Sequence, residues 1–442
     1  MIESSGRGAG RLDAAALGAI SESLISVADN LDDTARIDLI RALEVLKCAA
    51  EGAQAAVTVD FDASQRAVAA SRGEPRERQG RGIAHQVALA RRESPHSGQR
   101  HLRLARTLSG DLPHTFAALR GGHTTEWKAS LLAREVDCLS AAARRRVDAE
   151  LARDPARLER MGVRELTDAV RRRVCELDPL AVAARRSKAE RDRHVSVRPA
   201  PDTMTWLTAH LPVKQGVAVF AALKHDADRL VGTGDGRGRG QIMADTLVAR
   251  VLGDTTSATL EPEVPVRVNV VIGVDALLGD CDEAGEIPGH GPIPADVVRR
   301  WVAAGVAADM SVELRRLFAD TGRLVAMESS SSAFPKRLAE FIELRDRSCR
   351  TSWCDAPVRH TDHVQPKLDG GPTSAANGQG LCEACNYAKE AIGWQAQPRP
   401  GPGHTVETIT PTSHRSHTSA PPVTRPRLSP GEAFLLELVL AA

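Results

Sequence analysis

Residues 349–389 read CRTSWCDAPVRHTDHVQPKLDGGPTSAANGQGLCEACNYAK, and the interpretation of the whole chain begins with this stretch. Two cysteine pairs frame it: Cys349 and Cys354 enclose four residues, whereas Cys382 and Cys385 enclose two. Cysteines at such short spacings can direct both sulfurs of a pair at one ion. Two pairs separated by 27 residues therefore predict a closed, four-thiolate zinc site rather than unrelated cysteines of a core.

A second set of residues within the same stretch is suited to chemistry on a phosphodiester bond. Asp362 and His363 stand together between the cysteine pairs, Asn377 follows, and Asn386 comes directly after the last cysteine. Hydrolysis of a phosphodiester requires a hard cation on oxygen ligands, a neutral imidazole to activate water, and a group that orients the imidazole. Asp362 and Asn386 can supply the oxygens. His363 can be the imidazole, and Asn377 can orient it. A zinc ribbon without catalysis is the alternative that these residues leave open.

These motifs resemble the signature of the HNH endonucleases of the ββα-metal type, in the branch with a four-cysteine zinc site. The resemblance rests on D-H-V-x-P, G-G-x-T-S, a middle Asn and L-C-x-x-C-N-x-x-K. It implies that His363 is the general base and that Asn377 holds the loop and positions the histidine. It implies that Asp362 and Asn386 bind a catalytic divalent cation, Mg2+ or Mn2+, beside the structural Zn2+. It also implies a DNA substrate, with Lys389 near its phosphate.

The remainder of the chain resembles an actinobacterial repeat-element family that joins a helical domain of unknown function to a C-terminal HNH module. The helical region, a mixed middle region and the phrase FIELRDRSC carry this resemblance. Many members of that family end the motif with His-His, whereas this chain has the complete cysteine quartet. The chain also has Gly378 where many members place Leu, and Ser352-Trp353 where Pro-Gly is common. Gly378 offers no core side chain beside the loop of the site, so it is expected to weaken packing there.

Composition indicates the class of protein but does not identify a binding partner. A chain of 442 residues is expected to form roughly two to four domains. Aromatic residues are only 3%, so aliphatic helix packing is the expected source of core area. The net charge of +1 means that any DNA-binding surface must be a local patch.

The sequence predicts a cytosolic protein without a membrane segment. It shows neither a secretory signal nor a run near the roughly 18 apolar residues that would cross a bilayer. In a reducing compartment, clustered cysteines are expected to bind metal rather than form disulfides. The four remaining cysteines have no partner in sequence and are expected to be small core residues. They are Cys48, Cys138, Cys175 and Cys281.

Changes of composition and periodicity predict five regions. The predicted fold is mostly α, with a small α+β middle unit and a C-terminal zinc-bound ββα-metal (HNH) module. The regions are a flexible N-terminus (1–30), a helical domain (31–193), a small α+β unit with a hairpin (194–332), the HNH nuclease module (333–397) and a low-complexity tail (398–442). The tail is rich in Pro, Ser, Thr and His, so little packing is expected of it, apart from a short apolar helix at Ala433–Leu440.

Apolar periodicity predicts the individual elements. The predicted helices are Asp32–Ala70, Gly82–Leu108 with a break at Pro95, Trp127–Leu151, Val163–Leu177, Pro179–Arg191, Gly216–Leu230, Gln241–Leu252, Ala295–Ala304 and Pro335–Asp346. The predicted β-structure comprises strands within 195–212, a strand at Val266–Val274 and a hairpin of Glu313–Phe318 with Arg323–Met327. A hinge is predicted at Ser329–Ser332. The Gly/Arg loop GTGDGRGRG lacks the context of a phosphate-binding motif, so that interpretation is rejected.

The favoured hypothesis from sequence is a metal-dependent endonuclease that hydrolyses DNA. The alternatives are a catalytically silent, zinc-containing DNA-binding protein of a mobile element or regulatory system, and a structural zinc knuckle in an interaction scaffold. From Lys336 to Arg399 there are nine Lys/Arg and eight Asp/Glu, so the module alone has little electrostatic attraction for DNA. Arginines such as Arg91, Arg92 and Arg103 are predicted either to form a solvated helix face or to supply that attraction. The oligomeric state is not predicted.

Overall fold

The structure is a computed structural model that describes residues 13–25, 31–252, 268–307, 319–320, 323–324, 328–329, 333–400 and 404–421. It divides into two units. Unit 1 consists of Met1–Ala56 and Thr107–Arg173, and unit 2 of Val57–Arg106 and Val174–Ala442. The predicted domain limits differ from this division, because the helical region 31–193 contributes to both units. In particular, 57–106 falls in the same unit as the cysteine-rich module.

Helices dominate the described part of the chain. They are α1 (Ala14–Ser23), α2 (Asp33–Ser71), α3 (Ile83–Arg91), α4 (Pro95–Asp111), α5 (Pro113–Arg120), α6 (Glu126–Val136), α7 (Ala141–Ala152), α8 (Pro155–Arg160), α9 (Val163–Leu177), α10 (Pro179–Arg191), α11 (Val213–Gly232), α12 (Arg239–Leu252), α13 (Val274–Leu278), α14 (Ala295–Ala307), α15 (Lys336–Asp346) and α16 (Glu383–Lys389). The mostly helical prediction is confirmed. Helix α1 lies within the region predicted as a flexible N-terminus; the polar start of that region, residues 1–12, is outside the described residues.

Helix ends follow from the residues at them. Asp32 precedes α2, and its carboxylate accepts a hydrogen bond from the Ala35 N–H at 2.7 Å, which satisfies one free donor of the first turn. The predicted break at Pro95 is confirmed. Arg92 ends α3 in the left-handed region with φ of 56°, and Pro95 begins α4, where its missing N–H costs no helical hydrogen bond.

Unit 1 is a helical assembly with an aliphatic core, as the scarcity of aromatic residues predicts. Its fully buried leucines include Leu112, Leu119 and Leu132. The buried Asp148 carboxylate is satisfied by the start of α5, accepting hydrogen bonds from the backbone N–H of His114 and Thr115 at 2.7 and 2.9 Å. A buried carboxylate with such partners joins α7 to the first turn of α5.

The strands are short and form separate antiparallel pairs or small sheets. They are β1 (His194–Pro199), β2 (Thr205–His210), β3 (Gly285–Ile287), β4 (Gly291–Ile293), β5 (Ala319–Asp320), β6 (Arg323–Leu324), β7 (Glu328–Ser329), β8 (His360–His363), β9 (Thr373–Ser374), β10 (Gly378–Leu381), β11 (Gln395–Arg399), β12 (Thr405–Ile409) and β13 (Arg415–Ser419). The pairs are β1 with β2, β3 with β4, β5 with β6, β7 with β9, and β8 with β10, and β11 to β13 form one sheet.

The middle region confirms some predicted strands and contradicts one. The strands predicted within 195–212 form the hairpin of β1 and β2. The strand predicted at Val266–Val274 is wrong over its described part: only Val271 pairs, with Glu286, and α13 begins at Val274. Alternation of apolar residues indicates a strand only where a partner edge is available, and the facing strand β3 has three residues. Glu313–Phe318 lies outside the described residues, although β5 and β6 do pair.

The C-terminal module has the predicted order of strand, strand and helix. Helix α15 leads into the cysteine-rich stretch; β8 and β10 then pair antiparallel with His363 opposite Gly378, and α16 follows. All four residues of β10 are buried, so this strand lies at the centre of the module.

The prediction that residues from 398 onward form an unpacked tail is wrong for 404–421. Strands β12 and β13 pair with β11 in an antiparallel sheet. Composition misses this because the β-branched run of β12 pairs on both sides, and Val406 is only 1% exposed. Arg350, between the first two cysteines, anchors the sheet by donating to the carbonyls of His404 and Thr418 at 3.0 and 2.7 Å. The apolar helix predicted at Ala433–Leu440 lies outside the described residues.

A buried ion pair at the end of α15 connects that helix to β10. Arg345 and Asp346 are 2% and 0% exposed at their side chains, with Nε and Oδ1 2.7 Å apart. Arg345 also donates to the carbonyls of Ala375 and Gly378, which lie on either side of the candidate residue Asn377. Asp346 accepts from the Gly380 N–H at 2.7 Å. The side-chain hydrogen bonds that the pair makes to other residues therefore all go to the segment that carries Asn377 and β10, and Arg350 adds an ion pair to Asp346 at 3.8 Å.

Replacement of Asp346 by alanine should destabilise the protein by about 3–5 kcal/mol, because it leaves the Arg345 guanidinium buried without its carboxylate. Urea unfolding followed by tryptophan fluorescence measures the loss. Asp296→Ala is the matched control: Asp296 pairs with Arg300 at 2.7 Å, but both side chains are exposed, so its loss should stay below about 1 kcal/mol. Equal losses in the two variants would contradict this assignment.

Candidate functional site

The four predicted cysteine ligands come together in one buried cluster. The sulfurs of Cys349, Cys354, Cys382 and Cys385 all lie within 4.8 Å of one another, and all four residues are buried. The Cys354 and Cys382 sulfurs are 3.8 Å apart. A tetrahedral zinc ion with Zn–S bonds of about 2.3 Å separates its sulfurs by about 3.8 Å. The donor set and its size therefore fit structural Zn2+, as the spacing predicts.

The local backbone explains why these sulfurs converge. Between α15 and β8, the Cys349 N–H donates to the Ala356 carbonyl at 2.9 Å and the Cys354 N–H donates to the Thr351 carbonyl at 3.0 Å, which folds the four-residue spacing into a knuckle. Cys382 is the N-cap of α16, and its sulfur accepts from the Cys385 N–H at 3.4 Å. The second pair therefore spans the first turn of α16.

Crowding of the four thiols changes their affinity for protons. A hydrogen bond from Cys354 lowers the pKa of Cys349 to about 7, and a hydrogen bond from Cys349 lowers the pKa of Cys382. The pKa values of Cys354 and Cys385 are raised, because their thiols donate to those neighbours. Protons are thus shared among sulfurs in close contact. A divalent cation would replace them.

His363 occupies a buried position at the end of β8. The residue is 8% exposed, and its ring Nε2 lies 2.9 Å from the Thr373 hydroxyl oxygen. Burial lowers the pKa of His363, so its imidazole is neutral near pH 7. Nδ1 forms no hydrogen bond with the described residues, so it can accept a proton in the tautomer in which Nε2 donates to Thr373. A neutral ring with one nitrogen held and one free is the state required of a general base.

Asn377 is placed to hold the loop before it rather than the histidine ring. Its Oδ1 accepts from the Gln365 N–H at 2.9 Å, and its Nδ2 donates to the carbonyls of Gln365 and Pro372 at 3.0 and 2.9 Å. Its backbone carbonyl accepts from the Val364 N–H at 2.7 Å. The residue next to His363 is therefore fixed by Asn377, while the ring itself is held by Thr373.

Contacts between β8 and α16 run through Lys389. Lys389 forms an ion pair with the Asp362 carboxylate and donates to the His363 carbonyl at 2.7 Å. Asn386 precedes Lys389 by three residues and so lies on the same face of α16. The Asn386 Oδ1 atom is buried and forms no hydrogen bond with the described residues.

A buried amide oxygen without a donor carries a free-energy cost that a bound cation would remove. The carboxylate of Asp362, on the strand that α16 faces, could supply a second oxygen to such a cation. These two oxygens fit a hard divalent cation such as Mg2+ or Mn2+.

Two contacts of His363 involve residues that sequence reasoning did not assign. Thr373 holds the ring nitrogen, and the Phe334 ring lies 4.5 Å from the imidazole ring. Thr373 is within the G-G-x-T-S motif, which could have indicated it. Phe334 lies before α15, and its contact depends on tertiary structure. Ser329, predicted as part of a hinge, is instead in β7, which pairs with the strand of Thr373.

Gly378 does not weaken the packing beside His363, contrary to the expectation. A Cβ atom at Gly378 would lie 2.3 Å from Ile342 Cδ1 and 2.7 Å from Phe334 Cε1. Phe334 and Ile342 therefore fill the space that a larger residue at this position would take. The glycine allows Phe334 to reach the imidazole.

Comparison with known families identifies both parts of the chain. Residues 349–391 match the HNH endonuclease family, so the module that holds the cysteine cluster is an HNH endonuclease domain. This supports a nuclease-type function and implies a nucleic acid substrate. Residues 40–346 match the family described as a domain of unknown function, DUF222, and the chain belongs to that family. The predicted combination of these two domains is thereby confirmed.

No curated protein and no solved structure matches the chain. Among the described helices, none is both long enough and apolar enough to cross a membrane.

The contact between Phe334 and position 378 can be tested by a double-mutant cycle. Gly378→Ala should destabilise the wild-type protein because its Cβ meets Phe334 and Ile342. In the Phe334→Ala background the same change should cost less, with a coupling free energy of about 0.5–3 kcal/mol. Urea unfolding of the four proteins measures the coupling. Strictly additive losses would show that Phe334 does not occupy the space at Gly378.

Zinc content should depend on the cluster and on no other cysteine. Cys382→Ser should reduce zinc from about one ion per chain to almost none and lower the melting temperature, because the site has no spare thiolate. Elemental analysis and thermal melting measure the two effects. Cys175→Ser is the control, since Cys175 is exposed and lies outside the cluster. Full zinc content in Cys382→Ser would contradict a four-thiolate site.

Proposed function

We propose that this chain is a metal-dependent HNH endonuclease that hydrolyses phosphodiester bonds of DNA. The observation that carries the proposal is the buried Oδ1 of Asn386, which has no hydrogen-bond partner among the described residues and stands one turn before Lys389, the ion-pair partner of Asp362. A cation site would explain an amide oxygen without a donor in a module that also carries the Asp362 carboxylate. A nuclease needs both as ligands of its cation.

Each residue of the site has a role that its contacts support. His363 takes a proton from water at Nδ1, while Thr373 holds Nε2 and keeps the ring in one orientation. Asn377 fixes the loop that follows the histidine. Asp362 and Asn386 hold the divalent cation, which when bound supplies positive charge for the phosphate and the leaving oxygen.

Lys389 combines two interactions in the proposed site. Its ammonium balances the charge of Asp362 and donates to the His363 carbonyl, so it links α16 to the strand of the general base. We place its charge close enough to the site to attract the scissile phosphate. The four cysteines bind Zn2+ and have no chemical step. Their need for reduced thiols is met in the cytosol, where we place the protein.

Affinity for DNA must come in part from outside the nuclease module, whose charges nearly balance. Arg92 and Arg103 are exposed on unit 2, whereas Arg91 donates to Glu93 at 3.3 Å. We assign phosphate contacts to the two exposed arginines. Charge reversal at Arg92 and Arg103 is then expected to flatten the salt dependence of DNA binding.

The second candidate function is a zinc-containing DNA-binding protein that does not cut, acting in a mobile element or a regulatory system. The ion pair of Lys389 and Asp362 favours it, because this contact occupies the carboxylate that the cation requires. The two functions differ in one measurable respect. Only the nuclease needs His363 for anything beyond stability.

Plasmid nicking by the purified full-length protein with Mg2+ or Mn2+ tests the proposal. His363→Ala should lower the initial rate by about 10²–10⁴-fold, the usual contribution of a general base, while zinc stays at about one ion per chain. Asp362→Ala should also abolish the metal-dependent rate. His360→Ala is the matched control, because His360 is an exposed histidine on the same strand. DNA binding without cutting by wild type, and equal binding by His363→Ala, would favour the second candidate.

A further inference from the structure

A segment of the DUF222 region lies against the nuclease module. Residues 81–86 comprise the two residues before α3 and its first turn. They belong to the 40–346 family match, yet they contact the C-terminal part of the chain at several points. Arg81 contacts Tyr387, Gln86 accepts a hydrogen bond from the Thr412 hydroxyl at 2.8 Å, and the His85 ring packs edge-on against Trp394 with centroids 6.4 Å apart. Both segments belong to unit 2.

Arg81 makes two contacts with one residue of α16. Its Nε donates to the Tyr387 carbonyl at 2.7 Å, and its guanidinium carbon lies 4.0 Å from the centre of the Tyr387 ring. Carbonyls in the last turn of a helix have no partner within the helix, and a cation near them is also favoured by the helix dipole. Arg81 thus supplies a charged donor to the C-terminal end of α16.

Helix α16 needs such support because it has only seven residues. Isolated helices of this length do not persist in water. Its N-terminal end is fixed by Cys382, whose carbonyl accepts from the Asn386 N–H at 2.9 Å. Its C-terminal end is fixed by Arg81 at Tyr387, the residue directly after Asn386. The proposed metal ligand therefore lies between two anchors, one of them from outside the nuclease module.

Neighbouring contacts of the same segment keep Arg81 in place. Gly82 has φ of 79°, and a Cβ there would lie 2.5 Å from Trp394 Nε1, so glycine is required for this close approach. Burial lowers the pKa of His85 to about 4, and the nearby backbone of Ala384, in the first turn of α16, acts in the opposite direction. The start of α3 thus contacts both ends of α16.

We propose that Arg81 is a positioning residue for the divalent-cation site of the nuclease, acting through α16 on Asn386. The inference rests on the proposed function, since it concerns the same cation. It assigns a role to one part of the domain of unknown function: this part supports the metal-binding helix of the nuclease domain. Arg81 itself touches neither the cation nor the substrate.

The test compares Arg81→Ala and Arg81→Lys with Arg76→Ala, all in the full-length, zinc-loaded protein. Arg76 is an exposed arginine of the same loop and serves as the control. Two quantities are measured without DNA: Mn2+ affinity by electron paramagnetic resonance, counting only binding that Asp362→Ala removes, and hydrogen exchange of the α16 amides. Salt-dependent binding to an uncut DNA duplex is measured alongside.

Arg81→Ala should weaken Mn2+ binding about tenfold or more, as loss of an outer contact to a ligand does at other metal sites. Exchange of the α16 amides should become faster, while zinc content and the salt dependence of DNA binding stay unchanged. The Mn2+ affinity of Arg81→Lys should lie between those of wild type and Arg81→Ala, because lysine keeps a donor but loses the planar stack on Tyr387. Arg76→Ala should match wild type.

Two results would overturn the proposal. Unchanged Mn2+ affinity in Arg81→Ala, with weaker and less salt-dependent DNA binding, would make Arg81 a phosphate contact and leave the proposed function intact. Absence of any Asp362-dependent Mn2+ binding in wild type would overturn the proposed function and this inference together. The two failures are therefore distinguishable in the same set of titrations.

Discussion

The buried pair of Arg345 and Asp346 is the interaction on which the nuclease module depends. Two adjacent residues at the end of α15 place opposite charges in the core, where each charge would be unstable alone. Their remaining hydrogen bonds all go to the backbone of 375–380. One helix end thereby fixes the peptide groups on both sides of Asn377, and through β10 it supports β8, the strand that carries His363.

The cysteine cluster performs the same task at the end of β10. Cys382 follows the strand directly and caps α16, so one side chain of the cluster joins the end of β10 to the start of α16. Asp362 and His363 thus lie on β8, Asn386 and Lys389 lie on α16, and Asn377 and Cys382 flank β10. None of these elements would be stable alone. Charge pairing, thiolate coordination and the contacts of 81–86 take the place of the extended hydrophobic core that so small a module lacks.

Sequence reasoning succeeds where an interaction is local in the chain. Cysteine spacing predicts the cluster, apolar periodicity predicts α2 and α15, and the motif brings His363 and Asn377 to one loop. It fails where the partner is distant. Composition gives no indication that β12 would pair with β11, and Gly378 appears as a defect until Phe334 is seen to fill its space. Thr373 could have been found from its motif, but Arg81 could not, because 306 positions separate it from Tyr387.

That separation has a consequence for how the protein matures. Closing a loop of this length must precede the contact between Arg81 and Tyr387, and a seven-residue helix does not nucleate by itself. During synthesis the segment that carries Arg81 emerges first, and its contact with Tyr387 forms only after the nuclease module has been made. The helix that carries Asn386 is therefore among the last parts to become ordered. A ribosome-bound or prematurely terminated chain would fold much of its helical region before α16 and its Asn386 become ordered.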